Sequence, residues 1–214
     1  RLGNIKPAAP EVEDATPDIT GKGEDLDKKS FADFGVTDPI VDALEDKGIT
    51  HPFPIQALTL GPALDRHDII GQAKTGTGKT LGFGIPVLED VIAPDEEGYE
   101  DLLNPNKPQA LIILPTRELT KQVAQDLREA AKYLSTRIGA DIVVGTPGRL
   151  IDLLRKGHLH LSGVETVVLD EADEMLDLGF LPDVETLLSR VPENRHTMLF
   201  SATMPGPVVA LARR

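Results

Sequence analysis

An α/β domain built on a mainly parallel sheet, with helices on both faces, is the fold class this sequence predicts. Three observations predict it. Five short apolar runs, at 68–71, 110–114, 141–144, 164–169 and 197–200, are continuous and rich in β-branched residues, as strands buried on both faces should be. Segments of helical period lie between them, the clearest at 117–134, where Leu119, Val123, Leu127, Ala131 and Leu134 form one stripe. Strand and helix alternate along the chain, and crossover connections of that kind join parallel strands.

Taken in order, residues 1–29 carry Pro7, Pro10 and Pro17, mixed charge and few apolar side chains without period. They read as a flexible tail, and residues 30–214 as the folded domain. Val36, Ile40, Val41 and Leu44 predict a helix ending near Gly48. Then the strands and helices named above follow one another, with no internal repeat. A chain of 214 residues, 40% of them hydrophobic, has enough apolar surface for one large core.

No apolar run reaches the ~18–20 residues of a membrane helix. The chain has no cysteine, which removes disulfide scaffolds, thiol nucleophiles and zinc–cysteine sites together. Residues 1–20 contain no apolar core of a secretory signal, so a cytoplasmic location and no membrane partner are expected. The net charge of −13 argues against a whole-surface nucleic-acid binder. But seven acids fall between Glu89 and Asp101 with no Lys or Arg among them. Charge gathered in one loop does not exclude an anion site elsewhere, because exposed charges further apart than ~10 Å are screened.

In open parallel sheets ligands sit beyond the carboxyl ends of the strands, so the residues after each strand come next. After the first strand comes Ala73-Lys74-Thr75-Gly76-Thr77-Gly78-Lys79-Thr80, leading into an apolar helix near Leu81. The run fits a phosphate-binding loop with Ala at its first position. Gly76 and Gly78 let backbone N–H groups turn toward phosphate oxygens, and the helix N-terminus favours negative charge. Lys79 suits the β- and γ-phosphates and the Thr80 hydroxyl suits Mg²⁺. The plain alternative, a Gly-rich turn, does not account for Lys79-Thr80 at the helix entrance.

After the fourth strand come Asp170-Glu171-Ala172-Asp173. Asp170 would take Mg²⁺, and Glu171 would orient and deprotonate an attacking water. Alone, the run reads equally as an acidic helix start; the phosphate loop upstream favours catalysis. After the fifth strand, Ser201-Ala202-Thr203 is either a hydroxyl pair facing the acids, bonded to Asp173, or a helix cap through Thr203. After the second and third strands come Pro115-Thr116-Arg117-Glu118-Leu119 and Thr146-Pro147-Gly148-Arg149. Each is a helix cap with a surface arginine when taken singly. Two on one sheet edge supply the hydroxyl, arginine and N–H groups that hold nucleic-acid phosphates without reading bases.

These five segments, AKTGTGKT, PTREL, TPGR, DEAD and SAT in this order, resemble the DEAD-box ATP-dependent RNA helicases from Phe31 to the end of the chain, with a bacterial RhlE-like subgroup as the suggested branch. The resemblance implies a RecA-like P-loop fold, ATP with Mg²⁺, and RNA bound through its backbone. It also implies that Gln56, in the segment Gly48–Gln56, bonds the adenine edge, and that Phe31 stacks on the ring. A side-chain amide offers the donor and acceptor that adenine requires. Phe53 departs from the family pattern, where Thr or Ser is usual; without the family, Phe31, Phe34 and Phe53 would read as core aromatics.

The resemblance also implies parts that the sequence lacks. A strand, a Gly-Gly turn and a helix are expected between PTREL and TPGR, which places a missing or deleted segment near Arg137/Ile138. A second RecA-like domain, source of arginine fingers and of the other half of the RNA clamp, is absent. The 214 residues are thus expected to bind adenine nucleotide, hydrolyse it weakly and unwind nothing alone. Two further readings stay open: a related DNA helicase, and a binding module without activity. The RNA target is expected to be set by tails, the second domain or partners. The five histidines show no metal spacing.

Overall fold

The computed structural model describes residue 26 and residues 28–73 and 78–214, with only the backbone of Lys79. The predicted tail therefore lies almost wholly outside the described residues, as do Lys74, Thr75, Gly76, Thr77 and the Lys79 side chain.

Five strands form one sheet: β1 (Ile69–Gln72), β2 (Ala110–Ile113), β3 (Ile142–Gly145), β4 (Thr166–Asp170) and β5 (His196–Ser201). Their order is β1-β5-β4-β2-β3 and every neighbouring pair is parallel. All five carboxyl ends therefore lie along one edge. The helices are α1 (Asp38–Glu45), α2 (Pro54–Leu64), α3 (Lys79–Asp90), α4 (Arg117–Ala130), α5 (Pro147–Arg155), α6 (Ala172–Asp177), α7 (Leu181–Leu188) and α8 (Gly206–Ala212). A 3₁₀ turn, Ala32–Phe34, precedes α1.

The pleat divides the core in two. Ile112, Leu114, Val168, Met198 and Phe200 pack with Ile40, Phe83 and Leu127 on one face. Leu111, Ile113, Val167, Leu169 and Leu199 pack with Leu150, Met175, Val184 and Val208 on the other. Alternate residues of one strand thus serve opposite layers, which is why the runs are continuous rather than alternating. The fully buried strands β2 and β4 are the extreme cases.

The predicted strands all form, with shifted ends. Asp68 stays outside β1 because its carboxylate caps the next strand, accepting the Thr197 N–H at 2.7 Å. Asp141 precedes β3; its carbonyl accepts from Gln109 and Ala110 N–H at 2.8 and 3.2 Å, and its carboxylate lies 2.7 Å from Arg137 Nη2 and accepts the Arg137 N–H at 2.7 Å. The long helix stops at Ala130 rather than Leu134: the Leu134 N–H turns back to the Ala131 carbonyl at 2.8 Å, an i→i+3 bond. The helix after the phosphate loop starts at Lys79 rather than Leu81. Between α4 and β3 the chain closes tightly, with Gly139 at φ 102° and its N–H on the Ile142 carbonyl at 2.7 Å. That leaves β3 at the sheet edge among the described strands.

The amino ends of the strands are locked by a buried polar cluster. Asp90 Oδ2 accepts from the Thr166 hydroxyl at 2.9 Å and meets His196 Nδ1 at 2.9 Å. His196 Nε2 faces the His67 carbonyl at 2.7 Å, and Arg66 lies 3.4 Å from Asp90 Oδ1. This cluster lies at the end of the sheet opposite the carboxyl edge.

Candidate functional site

The β1–β5 register pairs Gln72 with Ser201, and the Ala73 N–H continues the ladder to the Ser201 carbonyl at 3.1 Å. The chain leaving β1 is therefore held beside the end of β5. After residues 74–77, Gly78 caps α3 in the left-handed region at φ 73°, which a side chain would strain. Space excludes one as well: a Cβ there would lie 2.6 Å from Phe53 Cδ2. The buried Gln56 ties these pieces together. Its Oε1 accepts the Phe53 N–H at 2.9 Å, and its Nε2 donates to the Gly78 carbonyl.

Strand β4 ends in Asp170, 4% exposed, followed by Glu171, 6% exposed. Glu171 caps α6 at φ 54°, ψ 49°, and its N–H bonds Asp170 Oδ1 at 2.9 Å. A left-handed glutamate costs on the order of 1 kcal/mol or more. Such strain persists only where the surroundings hold it. Asp173 then meets β5: its N–H donates to Ser201 Oγ at 3.0 Å. Its Oδ2 accepts from Thr203 N and Oγ1 at 3.1 and 2.9 Å. Burial pushes the Asp173 carboxyl up, but these bonds outweigh it and hold the group below the usual range. Glu174 goes the other way. A hydrogen bond with the Glu171 carboxyl, then burial, then the charges of Glu171, Asp173 and Asp177 push it up to about 7.

Gln56, Phe53, Gly78, Thr80, Asp170 and Glu171 line one cavity of about 340 Å³, which continues between α1 and α4 past Lys47, Val123 and Asp126. Burial raises the Asp126 carboxyl there, against the opposing charge of Lys47. The Thr80 hydroxyl and the Asp170 carboxylate are hard oxygen donors on one cavity wall. They fit a Mg²⁺ shared with phosphate oxygens, since Mg²⁺ takes few protein ligands. No group of three or more His, Cys, Asp or Glu suited to a metal forms among the described residues.

The two arginine segments end neighbouring strands β2 and β3. Thr116 caps α4, its Oγ1 accepting the Leu119 N–H at 3.3 Å, and Arg117 is exposed beside buried Pro115. Thr146 occupies the cap position of α5 without a side-chain bond. Pro147 is buried, while Gly148 and Arg149 are exposed, with Arg149 3.0 Å from Asp152.

One expectation, for Phe31, meets a different geometry. Phe31 is 1% exposed, packed in the layer that holds Val36 and Ile40, and does not line the cavity. Its ring has no free face for a base in this conformation. Thr203 bonds Asp173 and does not cap α8, whose cap residue is Pro205; of the two readings of that segment, the hydroxyl pair on the acids describes the geometry. Reading the sequence also missed Phe53 as a site residue. It is 61% exposed at the cavity mouth, and the only signal was its departure from the Thr or Ser of the resemblance.

Residues 53–211 match the family described as DEAD/DEAH box helicase. Among curated relatives, a chloroplastic DEAD-box ATP-dependent RNA helicase 3B of Zea mays is 46% identical over 91% of this chain and 28% of its own length. The helicase CshA of Geobacillus kaustophilus is 42% identical over 86% of this chain and 41% of its own length. The chain thus spans well under half of these relatives. A crystal structure of a DEAD box protein from Methanococcus jannaschii superposes with a TM-score of 0.73 at 35% identity, over 86% of this chain and 53% of that one. The RNA helicase Prp28 of Chaetomium thermophilum bound to ADP superposes with a TM-score of 0.74 at 32% identity, over 86% and 48%. The parallel sheet, the acids at its carboxyl edge and these matches together mean that the chain belongs to the DEAD/DEAH box helicase family, on a RecA-like fold.

Proposed function

We propose that residues 30–214 are the ATP-binding, RecA-like first domain of an ATP-dependent RNA helicase. One observation carries this reading: Gly78 and Thr80 at the helix entrance, Gln56 and the Asp170–Glu171 pair line the same cavity at the carboxyl edge of the sheet. Backbone N–H groups of Ala73–Gly78 would cradle the phosphates, with Lys79 on the β- and γ-phosphates. Thr80 and Asp170 would hold Mg²⁺, which when bound neutralises charge on the phosphates. Glu171 would orient the attacking water and take its proton, at a position kept by the strained turn into α6. Gln56 already bonds the Gly78 carbonyl, and its remaining N–H and lone pair are what an adenine edge requires.

Asp173, Ser201 and Thr203 would tie the acidic turn to β5, so that nucleotide state reaches the strand end. The exposed Arg117 and Arg149, with Thr116, Thr146 and the backbone N–H groups of α4 and α5, would hold RNA sugar and phosphate. A second RecA-like domain would complete both sites; charge stabilisation by an arginine finger is worth ~10³–10⁵ in rate. The 214 residues alone would therefore bind ATP and ADP, turn over slowly and unwind nothing. A cytoplasmic location is the reading proposed here, with an organelle as the alternative, since relatives include forms named chloroplastic and mitochondrial; fluorescent tagging separates them.

The test is ATP turnover by the chain, with and without single-stranded RNA, then with a second domain joined to its end. Slow turnover that becomes RNA-stimulated only in the two-domain protein supports the reading. Equal stimulation by single-stranded DNA of matched sequence would contradict the RNA assignment, since 2′-OH contacts distinguish the two.

A further inference from the structure

Phe53 lines the cavity beside Gln56 and Gly78. Phe53 is 61% exposed, whereas Phe31 is 1% exposed, Phe34 packs against the core and Phe83 and Phe200 are buried. An exposed phenyl ring on the wall of this cavity leaves a large apolar face in water. Its position is held from both sides. The Phe53 N–H bonds Gln56 Oε1 at 2.9 Å. The ring edge rests on Gly78 so closely that a Cβ there would stand 2.6 Å from Cδ2 and 3.1 Å from Cε2. Gln56 Nε2 donates to the carbonyl of that same Gly78. A flat aromatic surface, a side-chain amide and the last glycine before α3 therefore enclose one end of the cavity. A planar heteroaromatic ring lying there would cover the phenyl face while its edge met the amide.

We propose that Phe53 is the base-stacking wall of the nucleotide site, packing against the ring whose edge Gln56 reads. This rests on the nucleotide reading above and deepens it. Stacking accepts any base, because every base has a π-face. Phe53 thus supplies affinity, and discrimination between adenine and guanine is left to the Gln56 amide. Phe31, closed into the core, shapes the start of α1 instead of touching the base.

The experiment is calorimetric titration of the chain with Mg-ADP, Mg-GDP and inorganic tripolyphosphate, for the wild type, Phe53→Ala and Phe53→Trp, with thermal melts as a folding control. Phe53 is exposed enough that its truncation leaves the melt unchanged. Phe53→Ala is expected to weaken ADP and GDP together by about tenfold to a hundredfold, leaving their ratio and the tripolyphosphate affinity unchanged. Phe53→Trp is expected to restore binding. Unchanged ADP affinity in Phe53→Ala would overturn the proposal. So would an equal loss for ADP and tripolyphosphate, which would make Phe53 a prop for the phosphate loop. A wild-type chain that binds neither ADP nor tripolyphosphate would instead overturn the nucleotide reading on which the proposal stands.

Discussion

Gly71→Ala is a perturbation whose magnitude the geometry sets directly. Gly71 stands in the middle of β1, paired in register with Phe200 of β5. An added Cβ would lie 2.6 Å from Phe200 Cδ1 and 2.7 Å from Cε1, well inside van der Waals contact. The ring has nowhere to go. It is 1% exposed and packed, tilted by 46°, with its centroid 5.6 Å from that of Phe83, which is itself fully buried. Either the ring leaves its rotamer or β1 separates from β5. Overpacking of this kind costs about 1–3 kcal/mol, and at ~2–4 °C per kcal/mol for a chain this size the melt falls by about 2–12 °C. Separation of β1 from β5 would also move Gln72 from Ser201, so ADP affinity should fall with stability. The assay is a double-mutant cycle in urea: Gly71→Ala, Phe200→Leu and the pair, with ADP titration of each. The smaller leucine makes room for the new methyl, so the pair should cost at least 0.5 kcal/mol less than the sum, beyond the usual additivity error of ~0.3–0.5 kcal/mol. Strict additivity would refute the idea that the glycine exists for the phenyl ring.

Three further perturbations separate the parts of the molecule. Asp90→Ala removes the partner of buried His196 and Thr166 and of the half-exposed Arg66 at the amino end of the sheet and should cost about 1–3 kcal/mol in urea unfolding, with ADP affinity unchanged because the site lies at the other end. Thr203→Val removes the 2.9 Å bond to Asp173 and should cost only about 0.5–1.5 kcal/mol; in the two-domain protein it should lower turnover more than nucleotide affinity. Glu174 is raised from 4.5 to about 7 by its bond with the Glu171 carboxyl, by burial and by neighbouring acids. The folded state therefore binds more protons than the unfolded state between these values, and stability contributed by this group falls as pH rises from about 4.5 to 7. Glu174→Gln should flatten that part of the pH–stability profile, and an unchanged slope would contradict the assignment.

The strands were legible because burial on both faces writes itself as continuous β-branched sequence: Leu111 and Ile113 serve one layer and Ile112 and Leu114 the other. The site was legible where chemistry needs adjacent residues, as at Lys79-Thr80 and Asp170-Glu171. Contacts across long sequence separations left no such mark. His196 meets Asp90 from 106 positions away, and neither residue carries a pattern that announces the other. Element ends depended on local contacts that the pattern does not announce, such as the Asp68 carboxylate on the Thr197 N–H and the Asp141 carboxylate on Arg137. Phe31 and Phe53 show the limit most clearly. Both are single phenylalanines in sequence, and only packing separates the buried ring from the one at the cavity mouth.

The central claim is that Gly78–Thr80 and Asp170–Glu171 form one Mg²⁺-dependent nucleotide site. The measurement that tests it most directly is calorimetric titration of the chain with ADP, with and without Mg²⁺, in the wild type, Lys79→Ala and Asp170→Ala. ADP binding should be strengthened by Mg²⁺ in the wild type, weakened in Lys79→Ala, and insensitive to Mg²⁺ in Asp170→Ala. Wild-type binding that survives both substitutions with its Mg²⁺ dependence intact, or no binding at all by a folded wild type, would contradict it.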